Sequence, residues 1–167
     1  MRVKILVKTA LLLAIMVVCS LVTIPIGAIP MTLQVFAVAL AGYLMGVNAI
    51  FVVFVYLILG MMGVPIFSSF SAGLASLVGP SGGYLIGFLI LALGSGLSRG
   101  RGWRKVILRT GIAIILLYTC GIIGYSLSTG VDIVVATVMN IWYLPKDVVL
   151  VVLAYIVAKR LDSILKE

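Results

Sequence analysis

Four carboxylic acids, Asp132, Asp147, Asp162 and Glu167, are all that the chain offers for proton transfer or hard-metal coordination, and it contains no histidine. Without an imidazole there is no base or ligand of that kind, and so few carboxylates leave little for acid/base or metal work. No catalytic residue and no metal ligand is therefore assigned, and the chain is not expected to be an enzyme. Cys19 and Cys120 lie inside apolar runs about a hundred positions apart, and read as small hydrophobes packed in helices rather than as a disulfide or metal pair. The remaining candidate is Lys146 beside Asp147, just after Pro145. An ionisable pair next to apolar protein is costly unless matched, so it is a functional candidate; the alternative is an exposed interfacial pair contributing little.

The elements that must position this pair are membrane helices. Of 167 residues 64% are apolar and only 10% charged, with mean hydropathy +1.38, whereas a soluble domain carries about a quarter charged residues. Between Lys8 and Arg99, 90 consecutive residues carry no formal charge. A helical crossing needs about 20 apolar residues. The net charge of +8 is a topology signal rather than a nucleic-acid signal, because eleven of the twelve cations fall in three short zones. Arg2, Lys4 and Lys8 open the chain; Arg99, Arg101, Arg104, Lys105 and Arg109 form the second zone; Lys159, Arg160 and Lys166 form the third. The positive-inside rule puts all three in the cytoplasm. Zones on one side are separated by an even number of crossings, which suits four helices in the charge-free gap and two more before Lys159. The expectation is an all-α membrane protein: one domain over 1–167, a compact bundle of six transmembrane helices at 6–25, 31–47, 49–63, 80–98, 106–126 and 143–160, with both termini cytoplasmic.

Pro25 and Pro30 bracket a short outer loop, Pro65 begins a Gly/Ser-rich stretch running to Gly83, and Pro145 suits the first turn of the last helix. The first 27 residues also read as a basic segment followed by an apolar one, as in a cleaved signal peptide, but the apolar run is long for that. Ala10 and Ala14, Gly42 and Gly46, and Gly83 and Gly87 stand four apart, a spacing that lets helices approach closely. Gly79-Pro80-Ser81-Gly82-Gly83 lacks the lysine of a phosphate-cradling loop. Its glycines suit tight turns and a close approach of backbone to a ligand.

Uncharged polar groups gather on the expected outer side. Thr32 and Gln34 follow the first loop; Phe67, Ser68, Ser69, Phe70, Ser71, Ser81 and Tyr84 belong to the second; Asn140, Trp142 and Tyr143 to the third. With Lys146 and Asp147 they make a small-molecule pocket, apolar with a few orienting polar groups.

Three blocks in order carry a resemblance: Ile29-Pro30-Met31-Thr32-Leu33-Gln34, Gly60-Met61-Met62-Gly63-Val64-Pro65-Ile66-Phe67, and Leu77 through Phe88 around Gly79-Pro80-Ser81-Gly82-Gly83-Tyr84. Over nearly its whole length the chain resembles the BioY family, the biotin-specific S components of energy-coupling factor (ECF) transporters. The resemblance implies a plasma-membrane protein that captures extracellular biotin as cargo, with no cofactor of its own. It would assemble with a transmembrane coupling subunit and two cytoplasmic ATPases, which hydrolyse the ATP. It also implies that Ala10 and Ala14 face the coupling subunit, and that Thr32, Gln34, Phe67, Ser68, Ser69, Ser81, Gly82, Gly83, Tyr84, Asn140, Lys146 and Asp147 surround the ligand. Asp147 would accept from the ureido N–H groups while Phe67 and Tyr84 flank the rings. The chain departs from the family in two places. Leu150 stands where a lysine three positions after the aspartate is usual, so Lys146 either replaces that cation or merely caps the outer surface, and Ser69 stands where asparagine is frequent. The rival readings are an S component for another vitamin, and a membrane scaffold or lipid-binding protein.

Overall fold

The structure, a computed structural model, describes residues 2–27 and 29–164; Lys166 and Glu167, counted above among the charges, lie outside the described residues. Eight α-helices are present among them: α1 (Arg2–Leu21), α2 (Gln34–Met45), α3 (Ala49–Met61), α4 (Leu74–Val78), α5 (Gly82–Leu97), α6 (Trp103–Thr129), α7 (Ile133–Ile141) and α8 (Leu144–Ile164). Two strands, β1 (Thr23–Ile24) and β2 (Met31–Thr32), pair antiparallel, with Thr23 opposite Thr32 and Ile24 opposite Met31.

This small hairpin corrects the expected helix ends around the first loop. The first helix stops at Leu21 rather than 25, because the residue before a proline is pushed out of the helical region and Thr23 and Ile24 are β-branched residues suited to a strand. The second helix begins at Gln34 rather than 31, since Met31 and Thr32 are spent on the pairing. Two further helices were not expected. The short α4 sits within the Gly/Ser-rich stretch, and α7 precedes the last helix at a bend of 50°. The remaining expected helices are found with ends moved by a few residues, and Pro145 does fall in the first turn of α8.

Helices α2 and α3 form one apolar run, Gln34–Met61, yet they double back on each other. Gln34 Nε2 donates to the Tyr56 hydroxyl at 2.7 Å, whereas 22 residues of straight helix would separate them by about 33 Å. The reversal is made at Gly46, whose φ of 66° and ψ of −145° is open to glycine alone among common residues, followed by a 3-10 turn over Gly46–Asn48.

Helices α5 and α6 are likewise antiparallel and pack through glycine. A Cβ on Gly83 would strike the Cys120 carbonyl, one on Gly87 would meet Leu117, and one on Gly94 would meet Ala113 and the Arg109 carbonyl. Gly42 of α2 presses on Ser95 of α5 in the same way. The core between these helices holds Met16, Tyr56, Phe67, Leu91 and Leu117, all essentially inaccessible. Large apolar side chains such as Phe51, Phe54, Ile115 and Leu127 face outward, the pattern of helices solvated by lipid. Helices α1 and α6 are each long and apolar enough to cross a membrane, and α7 with α8 would make one bent span.

Candidate functional site

The two ends of the bundle differ sharply. Cations at the close of α5 and the start of α6 share one end with Lys159 of α8, and the hairpin and Gly/Ser-rich loop lie at the other. At that other end a cavity of about 60 Å3 is formed by β2, the starts of α2, α5 and α8, and the middle of α6.

Asp147 is the centre of its polar chemistry. It is 5% exposed and lies in the first turn of α8, where the helix dipole favours an anion. The Tyr118 hydroxyl donates to Asp147 Oδ2 at 2.7 Å, so one carboxylate oxygen is held by α6. Lys146 Nζ stands 2.5 Å from the other oxygen, Oδ1, balancing its charge, and donates to the Thr32 carbonyl at 2.9 Å. That bond ties α8 to β2. Tyr143 performs a similar tie, its hydroxyl donating to the Ile26 carbonyl at 2.8 Å. Tyr84 meets Tyr118 edge-on, with ring centres 5.7 Å apart.

Two buried polar atoms here are incompletely partnered among the described residues: the Tyr84 hydroxyl has no hydrogen-bond partner, and Asp147 Oδ1 meets the Lys146 ammonium alone. A buried donor left unmade costs about 1–3 kcal/mol, and a carboxylate oxygen with one partner keeps a free lone pair; both belong where a ligand completes them.

Of the expected site residues, Thr32, Gln34, Ser68, Ser81, Tyr84, Lys146 and Asp147 line this pocket. The others do not. Phe67 is buried edge-on against Tyr56, with ring centres 5.3 Å apart, and fills the space left by Gly60, where a Cβ would collide with its ring. It plugs the loop onto α3 and is not among the residues lining the pocket. Ser69 turns away at φ 56°, with only its backbone N–H near the Thr23 hydroxyl, at 3.5 Å. Gly82 packs on the Leu77 backbone and Gly83 on α6, so both glycines allow close packing and neither lines the pocket. Asn140 is buried in α7, its amide donating to the Ala136 carbonyl at 2.7 Å. Leu150 is buried in the core and does not border the pocket.

Gln34 lines the pocket but is committed to the frame. It accepts from the Thr32 hydroxyl, donates to Tyr56, and Tyr56 in turn donates to the Ile66 carbonyl, which also accepts from Ser20. This buried chain fixes the second loop to α1, α2 and α3.

The residues missed from sequence are chiefly Tyr118, Phe88, Leu85 and Val35. Tyr118 is one of seven hydroxyl side chains along α6, and nothing in its type or spacing sets it apart.

The sequence model described as BioY family matches residues 1–167. The probable biotin transporter BioY of Pyrococcus horikoshii is 35% identical over 157 residues, covering 92% of this chain and 93% of that protein. The biotin transporter BioY of Thermotoga maritima is 34% identical, covering 95% and 96%. A crystal structure of the S-component for biotin from an ECF-type ABC transporter superposes with a TM-score of 0.88 at 26% identity, over 97% of this chain and 92% of that one. By the match along its whole length and by its fold, this membrane protein belongs to the BioY family.

Proposed function

We propose that the chain captures biotin from outside the cell and carries it across the plasma membrane as the S component of an ECF-type transporter. The observation that carries this reading is the Tyr84 hydroxyl without a partner in the same pocket as Asp147 Oδ1, a buried carboxylate oxygen with an acceptor site to spare beyond its lysine. Biotin's ureido group presents N–H donors and a carbonyl acceptor side by side. An N–H donates to Asp147 Oδ1 while the ureido carbonyl accepts from Tyr84. Tyr118 fixes the carboxylate by its other oxygen, so the ligand meets an acceptor already aimed. The apolar wall of Val35, Leu85 and Phe88 takes the thiophane ring and valerate chain. Lys146 supplies the cation that the family places where Leu150 stands here, one turn from where it is usual.

In the membrane the chain makes six crossings. These are α1, α2, α3, α5, α6 and α8, with both termini and the cation end in the cytoplasm and the pocket facing out. Helices α2 and α3, at 12 and 13 residues, are short for a bilayer and rely on the flanking loop and turn to complete their passage. Ala10 and Ala14 are exposed on α1 and leave a shallow face for the transmembrane coupling subunit. The two ATPases supply the energy, this chain having no phosphate-cradling motif.

Native mass spectrometry of the detergent-purified protein tests the assignment. A co-purified species of biotin's mass, displaced by biotin and not by other vitamins, is expected. Displacement of labelled biotin by an unrelated vitamin at equal concentration, or no saturable biotin binding, overturns it.

A further inference from the structure

Three hollows at the cation end adjoin one another. A polar cleft between the α5–α6 turn and α8 is lined by Arg99, Arg101 and Lys159. A shallower one along residues 100–105 adds Arg104 and Lys105 and shares Gly100 and Arg101 with it. An apolar groove between α6 and α8 shares Tyr43 and Tyr155 with the first and Trp103 with the second. The groove is floored by buried Val106, Ile114 and Val151, while Ile107, Val148 and Val152 on its rim are exposed. Tyr43 is held at its base by a hydroxyl contact with Thr110 of 3.1 Å, and Arg104 lies 5.6 Å from the Trp103 ring centre.

Charge and shape together define the occupant. Five cations face one carboxylate in these clefts, Asp162, and no ion pair joins it to them among the described residues. An anionic head alone would leave the apolar groove unused, and an uncharged lipid would leave the cations unmatched. We propose that this end holds one anionic phospholipid, its phosphate between Arg99, Arg101 and Lys159 and an acyl chain in the α6–α8 groove. Basic clefts between helices on the cytoplasmic side suit such headgroups, and Trp103 has the amphipathic ring favoured at that depth. A bound lipid would fill the seam between α6 and α8 and fasten the α5–α6 turn to α8.

The test uses Trp103 as reporter. Trp142→Phe leaves it the one tryptophan, and the full chain is placed in phosphatidylcholine vesicles containing equal mole fractions of brominated phosphatidylglycerol or brominated phosphatidylcholine. The expected result is a preference for the anionic quencher of about fivefold or more, as each basic group near the surface contributes about fivefold. Replacing Arg99, Arg101 and Lys159 with Gln brings the ratio near one, with helicity by circular dichroism unchanged. Gly111→Leu fills the groove from a position where a Cβ meets nothing within 4 Å, and is expected to weaken quenching by both lipids while all cations remain. Equal quenching by the two lipids in the parent overturns the proposal, as does a preference that survives both sets of substitutions. Loss of the preference on adding inorganic phosphate alone likewise overturns it, by showing that the acyl groove contributes nothing.

Discussion

The pocket end and the cation end of the same bundle use charge in opposite ways. At the pocket end one carboxylate is buried, clamped through Tyr118 and neutralised by one lysine, so each polar atom has an assigned geometry and a desolvated atom left over is a binding element. At the cation end many exposed charges are spread over a turn and two helix ends, where water screens each of them and position matters less than number. Precise recognition belongs to the first arrangement. Orientation in the membrane and attraction of anionic surfaces belong to the second.

Substitutions can break this contrast, and the largest effect is expected from one that touches no ligand. Phe67→Ala removes the ring that seals the second loop onto Gly60 and Tyr56, and a buried phenylalanine is worth about 3–5 kcal/mol; thermal unfolding in detergent should show a midpoint lower by about 6 °C or more. If Phe67 instead flanked the ligand, its loss would cut affinity and leave the midpoint in place. Next comes Asp147→Ala, which removes the charged acceptor. Hydrogen bonds to charged groups contribute about 1.5–3 kcal/mol, so biotin affinity by calorimetry should fall tenfold or more. Tyr84→Phe deletes a neutral donor and is expected to cost about three- to tenfold in the same titration. Arg104→Gln, at the far end, should leave biotin affinity within about twofold; a larger loss would show that the two ends are coupled.

The parts legible in the sequence were those governed by one-dimensional patterns. The 90-residue gap between Lys8 and Arg99 announced membrane helices, and the polar residues at the loop end, together with the ion pair Lys146 and Asp147, contained much of the pocket. Phe67 and Asn140 are expected at the site from residue type and from their place at outer loops, where an aromatic ring or amide looks alike whether it faces a ligand or a neighbouring helix. In the structure Gly60 receives the Phe67 ring and Ala136 accepts from Asn140, and neither Phe67 nor Asn140 is in the pocket lining. Tyr118 was hidden for the reverse reason. Its partner lies 29 positions away on another helix, and only the reach of its side chain from α6 across to α8 joins them. The doubling back of α2 on α3 was legible from the length of the charge-free run, yet the strand pair that shortens α1 and α2 was not, since four residues carry too little pattern.

The central claim is that Asp147 Oδ1 waits for a ureido N–H. It is tested most directly by titrating parent protein and Asp147→Asn, in the calorimeter, with biotin and with biotin methylated on a ureido nitrogen. The amide keeps the carboxylate's shape but loses its charge, and the methyl group removes the donor. The account predicts that either change alone weakens binding tenfold or more, and that the second change adds little once the first is made. Unchanged biotin affinity in Asp147→Asn, or two full and independent losses, would contradict it.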